Sequence, residues 1–107
     1  MTVWRAVVML LALALAGCTT ASRTTDAGRF VEVERLVVAG LPDQRLTIWL
    51  PPGYDVDKQR RFPVLYMHDG HNLFDLAKSN FNKVWAADRA MLAAMERGVE
   101  PHIIVGI

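Results

Sequence analysis

The strongest constraint on this chain is an apolar run at residues 64–67 (VLYM), which stops abruptly at Asp69-Gly70. The run does not alternate with polar residues, which is typical of a strand buried on both faces, as in a parallel sheet covered by helices. The glycine allows a sharp turn, so that the amides after it can point into the space above the carboxyl edge of the sheet. The run predicts an α/β fold with functional groups in the loop after this strand.

Two segments before this run predict a β-hairpin. Residues 30–38 (FVEVERLVV) mix apolar and charged residues at a period of two, as in a strand with one solvated face, and Gly40 ends them. Residues 45–50 (RLTIWL) form a second strand, which Pro51-Pro52-Gly53 closes. We expect the two strands to pair in antiparallel fashion.

A helix and a further strand follow the apolar run. Apolar residues recur at spacings of three and four within residues 83–97, which predicts an amphipathic helix with Asn82 as N-cap and Gly98 as its stop. Residues 102–107 (HIIVGI) predict the next strand. The order β-β-β-α-β implies a crossover between parallel strands and an incomplete α/β sheet.

The beginning of the chain has the layout of a signal peptide. Residues 1–17 (MTVWRAVVMLLALALAG) contain one cation, Arg5, then an apolar run and small residues. The apolar run is about 11 residues long, whereas a membrane-spanning helix needs about 20. We therefore expect an exported protein whose first 17 residues are removed.

Residues 15–18 (LAGC) resemble the lipobox of bacterial lipoproteins. The resemblance implies acylation of Cys18, a membrane partner through this lipid anchor, and a flexible lipidated tether over residues 18–29. Thr19, rather than Asp, implies the outer membrane, with the protein facing the periplasm. The alternative is an ordinary signal peptide that happens to end in a cysteine.

Charge and cysteine content exclude a nucleic-acid partner and an internal disulfide. Without residues 1–17 the chain has 11 cations and 11 acids, and its only basic cluster is Lys58, Arg60 and Arg61 in a predicted surface loop. This pattern indicates no nucleic-acid partner. The single cysteine excludes an internal disulfide.

Three segments resemble the putative esterase family: residues 50–54 (LPPGY), 62–75 (FPVLYMHDGHNLFD) and 103–107 (IIVGI). That family is similar to esterase D, feruloyl esterases, enterochelin esterases and mycolyltransferases, all α/β-hydrolases. The resemblance covers residues 30–107 and implies the N-terminal portion of an α/β-hydrolase sheet. It also implies an ester substrate, which could be a feruloyl, acetyl-glycan or siderophore ester, and no cofactor.

The same resemblance assigns a role to the loop of Asp69, Gly70, His71 and Asn72. One oxyanion donor of an α/β-hydrolase comes from the loop after the third strand, and by position this donor is the backbone N–H of His71. The family often has Gln at this position, so the imidazole is a departure and receives no catalytic role. The alternative is that Asp69-Gly70 is only a tight turn.

Other polar and aromatic side chains have structural interpretations. A metal site could be formed by His68, Asp69, His71 and Asp75, but their spacing does not match a helical ligand pair, and no metal is expected. Trp49 and Trp85 are expected in the core, and His102 at the surface or packed.

The sequence lacks the catalytic triad that the resemblance implies. No G-x-S-x-G motif is present, and the only serines are Ser22 and Ser79. We therefore expect an inactive N-terminal fragment of an envelope serine carboxylic-ester hydrolase, whose last strand, at residues 102–107, has an open apolar edge. One alternative is a small lipid-anchored binding protein without catalysis, and another is catalysis by Ser79 itself.

Overall fold

The computed structural model describes residues 26–107. The predicted signal peptide, Cys18 and the tether up to residue 25 lie outside the described residues. Strands and helix follow in the order β1 (Arg29–Leu36), β2 (Gln44–Leu50), β3 (Val64–Met67), α1 (Ala87–Glu96) and β4 (Ile103–Gly106). The predicted order is therefore confirmed, with two short 3₁₀ turns, Gly70–Asn72 and Asn80–Asn82, added between β3 and α1.

The strands form one mixed sheet in the order β1-β2-β4-β3. β1 and β2 pair as the expected antiparallel hairpin, with Arg29 opposite Leu50, and β3 and β4 pair in parallel. β4 also pairs with β2, so it has a neighbour on each side. The expected open edge at residues 102–107 is therefore wrong, because β4 inserts between β2 and β3 and leaves β3 at the edge of the described sheet.

The expectation that β3 is buried on both faces is also wrong for the described residues. Val64 is 41 % exposed, Leu65 40 % and Tyr66 68 %. β3 pairs only with β4 within residues 26–107, and an apolar cavity of about 290 Å³ separates α1 from β3 and β4. Edge position and loose helix packing together explain the exposure.

The core lies over the middle of the sheet, around β2 and β4. Trp49 and Ile104 are almost fully buried, and Trp49 donates a hydrogen bond from Nε1 to the carbonyl of Ala27 at 3.2 Å. Leu73, from the loop after β3, is equally buried. The prediction for Trp49 is confirmed, whereas that for Trp85 is wrong because its side chain is 68 % exposed.

Helix α1 begins later than expected and ends as expected. Its N-cap is Ala86, and Asn82 lies instead in a 3₁₀ turn with a positive φ of 51°, so the predicted cap is wrong. At the other end Gly98 has a φ of +90°, and its N–H donates to the carbonyl of Met95 at 2.9 Å. The predicted stop at Gly98 is confirmed, because glycine adopts this left-handed conformation without steric cost. Within residues 26–107 no helix has the length and apolar character needed to cross a bilayer.

Candidate functional site

The loop after β3 starts where the parallel pair β3 and β4 reaches its carboxyl edge. The N–H of Ile107 donates to the carbonyl of Met67 at 2.9 Å, and the N–H of Gly70 donates to the carbonyl of Ile107 at 3.0 Å. These bonds continue the ladder beyond both strands and fix Gly70 against the end of β4. Asp69, Gly70, His71 and Asn72 are therefore held at this edge by backbone hydrogen bonds.

The sharp turn into the loop is made by Asp69, not by Gly70 as expected. Asp69 has φ 59° and ψ 47°, a left-handed conformation, whereas Gly70 has no positive φ. Gly70 is needed for a different reason: a Cβ there would lie 2.8 Å from the carbonyl carbon of Gly106. The two glycines let the loop rest directly on the backbone of β4.

The backbone N–H of His71 differs from its two neighbours in its hydrogen bonding. The N–H of Gly70 donates to Ile107, and the N–H of Asn72 donates to the carbonyl of Asp69 at 2.8 Å. The N–H of His71 has no acceptor within residues 26–107. A backbone donor without a partner is rare unless it faces water or a ligand, so this N–H is a candidate donor to an external acceptor.

His71 lines a cavity of about 580 Å³ that opens beside the loop. One side of the cavity is apolar, and there the rings of Phe30 and Phe74 meet edge to face at 5.2 Å. Another side is charged: Glu32 accepts a hydrogen bond from Thr47 at 2.8 Å and pairs with Lys78 at 3.1 Å. The cavity therefore combines an apolar wall and an ion pair of exposed side chains.

Side chains of the loop hold its two 3₁₀ turns together. The side-chain amide of Asn80 contacts Nε2 of the His71 ring at 2.9 Å, and the backbone N–H of Asn80 donates to Oδ1 of Asn72 at 2.8 Å. The carbonyl of Asn72 accepts from the N–H of Trp85 at 2.9 Å. These bonds, with the buried side chain of Leu73, fix the path of the backbone on both sides of His71.

Backbone strain is concentrated in the segment between β3 and α1. Within residues 26–107 the non-glycine residues with positive φ all lie between β3 and α1; they are Asp69, Phe81, Asn82 and Ala86. Such conformations cost about 1–3 kcal/mol each and persist where surrounding contacts enforce them, often at functional sites. The strain independently marks the segment between β3 and α1, which includes this loop, as a candidate site.

The alternative sites from sequence gain no support from the geometry. The hydroxyl of Ser79 donates to the carbonyl of Leu76 at 2.8 Å, which makes it part of a turn. Of the four residues considered for a metal site, His71 and Asp75 line the cavity, whereas His68 and Asp69 do not. No group of three or more His, Cys, Asp or Glu side chains within the described part of the chain is placed to hold a metal.

Sequence reasoning missed three residues of the site. From sequence, Gly106 and Ile107 are only the end of a strand that resembles the family, and Asn80 is only a loop residue. The glycine within an apolar strand was the available signal, because such a glycine often marks a close backbone approach. Nothing in the sequence indicates the contact of Asn80 with His71, which spans nine positions.

Comparison with known proteins identifies one family. A family model described as "Esterase: Putative esterase" matches residues 42–107, more than half of the chain. The match includes the loop, the cavity residue His71 and both glycines of the close approach. No curated protein and no solved structure matches the chain significantly.

Proposed function

Because the chain belongs to the putative esterase family, we propose that it is the N-terminal part of a serine carboxylic-ester hydrolase of the bacterial cell envelope. In this proposal the backbone N–H of His71 is one donor of the oxyanion hole. The loop of Asp69, Gly70, His71 and Asn72 is the oxyanion loop.

The observation that carries the proposal is that the N–H of His71 has no acceptor within residues 26–107 and that His71 lines a cavity at the carboxyl edge of the sheet. When a nucleophile attacks an ester, the carbonyl oxygen gains negative charge, and an N–H about 3 Å away stabilises that charge. A fixed backbone donor needs no reorganisation during the reaction. The hydrogen bonds of Gly70 and Asn72 supply this rigidity.

In this proposal the nucleophile, acid and base of the reaction are supplied by residues that follow Ile107. The sequence contains no G-x-S-x-G motif, and the hydroxyl of Ser79 is bonded to a backbone carbonyl. A single donor without a nucleophile gives almost no turnover. We propose further that Cys18 carries the lipid anchor and that the protein faces the periplasm.

The nucleotide sequence downstream of the codon for Ile107 tests the proposal first. A G-x-S-x-G motif within the next hundred or so codons, in any frame, is expected. The reading frame that includes it should be expressed and treated with a fluorophosphonate, which labels activated serines. Labelling of the serine in that motif, lost on its replacement by Ala, supports the proposal, whereas unrelated sequence in all frames would overturn it.

A second test uses the 107-residue chain itself. Hydrolysis of an aryl acetate should not exceed background, with or without Ser79→Ala, because the triad is absent. Turnover that disappears in Ser79→Ala would instead show that this serine is the nucleophile.

A further inference from the structure

The loop between β2 and β3 carries an exposed group of cations at its tip. Lys58, Arg60 and Arg61 are exposed, and within residues 26–107 none of them pairs with an acid. Val56, two positions before Lys58, is 86 % exposed. We call residues 54–62 the basic loop; its tip combines positive charge with one exposed apolar side chain.

The basic loop is ordered by aromatic and backbone contacts. The rings of Tyr54 and Phe62 lie 5.6 Å apart, and the guanidinium of Arg60 lies 4.4 Å above the ring of Phe62. Arg61 donates from Nη1 to the carbonyl of Lys58 at 3.2 Å. These groups line a cavity of about 340 Å³, together with Asp57 and Ile103. The cations are thus held around a shallow opening.

The position of the basic loop relates it to the start of the chain. It lies at the amino ends of β3 and β4, where the N–H of Ile103 donates to the carbonyl of Pro63 at 2.9 Å, and therefore at the opposite edge of the sheet from His71. Arg29, the first residue of β1, donates two hydrogen bonds to Asp55 at 2.7 and 2.9 Å. The chain therefore enters the fold beside the basic loop.

The segment between Cys18 and the first strand is short in sequence. Cys18 precedes Arg29 by 11 residues, which span at most about 40 Å when fully extended. A membrane to which Cys18 is attached is thus within reach of the basic loop. Cations near a bilayer are attracted by anionic headgroups over about one Debye length.

We propose that the basic loop is a membrane-docking surface that binds the anionic phospholipid headgroups of the bilayer holding the anchor. Docking through this edge of the sheet directs the opposite edge, with His71 and its cavity, away from the bilayer and toward the periplasm. The proposal rests on the lipid anchor of the proposed function, and it does not require ester hydrolysis.

Amide hydrogen exchange on the lipidated chain tests this proposal. The chain is reconstituted in vesicles of phosphatidylcholine alone or with about one third phosphatidylglycerol, and amides of residues 57–62 should exchange at least about threefold more slowly in the anionic vesicles. Amides of residues 70–73 should exchange equally in both. The difference should vanish in about 1 M salt, where the Debye length falls to about 3 Å.

Charge variants provide the matched control. The double variant Lys58→Gln with Arg60→Gln should abolish the slower amide exchange in anionic vesicles. The double variant Arg45→Gln with Lys83→Gln removes the same charge at the other edge of the sheet, and it should preserve the slower exchange. Equal exchange of residues 57–62 in both vesicles would overturn the proposal. Unprotected amides throughout β2 and β4 would also overturn it, because the surface exists only in the folded chain. An unmodified Cys18 would overturn it too, while leaving ester hydrolysis standing.

Discussion

Two glycine backbones meet where the loop after β3 crosses the end of β4. The space between Gly70 and Gly106 admits no Cβ, since one on Gly106 would also lie 2.9 Å from the Cα of Gly70. The contact sets the height of the loop after β3, the proposed oxyanion loop, above the sheet. It is therefore the point at which a single methyl group should have the largest effect on His71.

We predict that Gly70→Ala destabilises the protein by about 1–3 kcal/mol through this clash with backbone atoms. Gly53→Ala is the control, because the space around Gly53 is empty and only its φ of +83° is unfavourable for Ala. Thermal unfolding measures the loss in both variants. Only Gly70→Ala should also speed amide exchange at Asn72 and Leu73. Unchanged exchange at these two amides would contradict the close contact between the loop and the backbone of Gly106.

The His71 side chain should matter for positioning and not for chemistry. His71→Ala leaves the backbone N–H in place and removes one hydrogen bond to Asn80, which is worth about 1 kcal/mol. In the proposed full-length hydrolase we expect kcat to fall less than tenfold, well below the loss of about 100-fold or more for removing an oxyanion donor.

Asn80→Ala tests the same hydrogen bond from its other side. It should match His71→Ala in stability, and the double variant should lose less than the sum of the two single losses, because both remove one shared contact. A loss of activity of 100-fold or more in His71→Ala, but not in Asn80→Ala, would instead assign a catalytic role to the imidazole.

At the scale of elements, the start of β1 is tied to the loop after β2 by Arg29 and Asp55. The hydrogen bonds from Arg29, and then its positive charge, lower the pKa of the Asp55 carboxyl from its ordinary value, and burial opposes them only in part. A carboxyl with a lowered pKa in the folded state stabilises the fold above its ordinary pKa of about 4 and loses that contribution as pH falls further.

We therefore expect Asp55→Asn to lower the melting temperature at pH 7 and to lose its effect at pH values well below 4. Asp57→Asn is the control, since the carboxylate of Asp57 accepts only a hydrogen bond from the backbone N–H of Gln59 and has no pairing cation among the described residues. Melting curves of both variants and the parent across this pH range measure the effect. A difference for Asp55→Asn that persists unchanged at the lowest pH would contradict the ion-pair explanation.

At the scale of the whole molecule, the described sheet leaves an apolar edge. β3 pairs on one side only within residues 26–107, and the side chain of Tyr66 is 68 % exposed. An edge strand of this kind readily pairs with another chain. The 107-residue chain should therefore self-associate as its concentration rises.

Tyr66→Lys should reduce this association, because a charge on an edge strand opposes pairing. Val56→Lys adds the same charge at an exposed side chain outside the sheet, and it should have no such effect. Light scattering over a concentration series compares the two. Equal reduction by both variants would show that net charge, and not the edge of β3, controls association.

Local patterns in the sequence were sufficient to predict the strands and the helix of the fold. The period of two in β1, the unbroken apolar run of β3 and the glycine after α1 each depend on neighbours a few positions away. The hairpin and the order β-β-β-α-β were therefore predicted correctly. The cap at Asn82 was not, because the fold holds that residue in a left-handed turn.

The sequence by itself determined the strands, the helix and the segment that resembles an oxyanion loop. Only the tertiary structure decided that β4 lies between β2 and β3, that Asp69 and not Gly70 makes the turn, and that Gly106 supports the loop. Those features depend on contacts between residues more than 30 positions apart. Periodicity carries no information about such contacts, because it reflects which face of an element is buried and not which partner covers it.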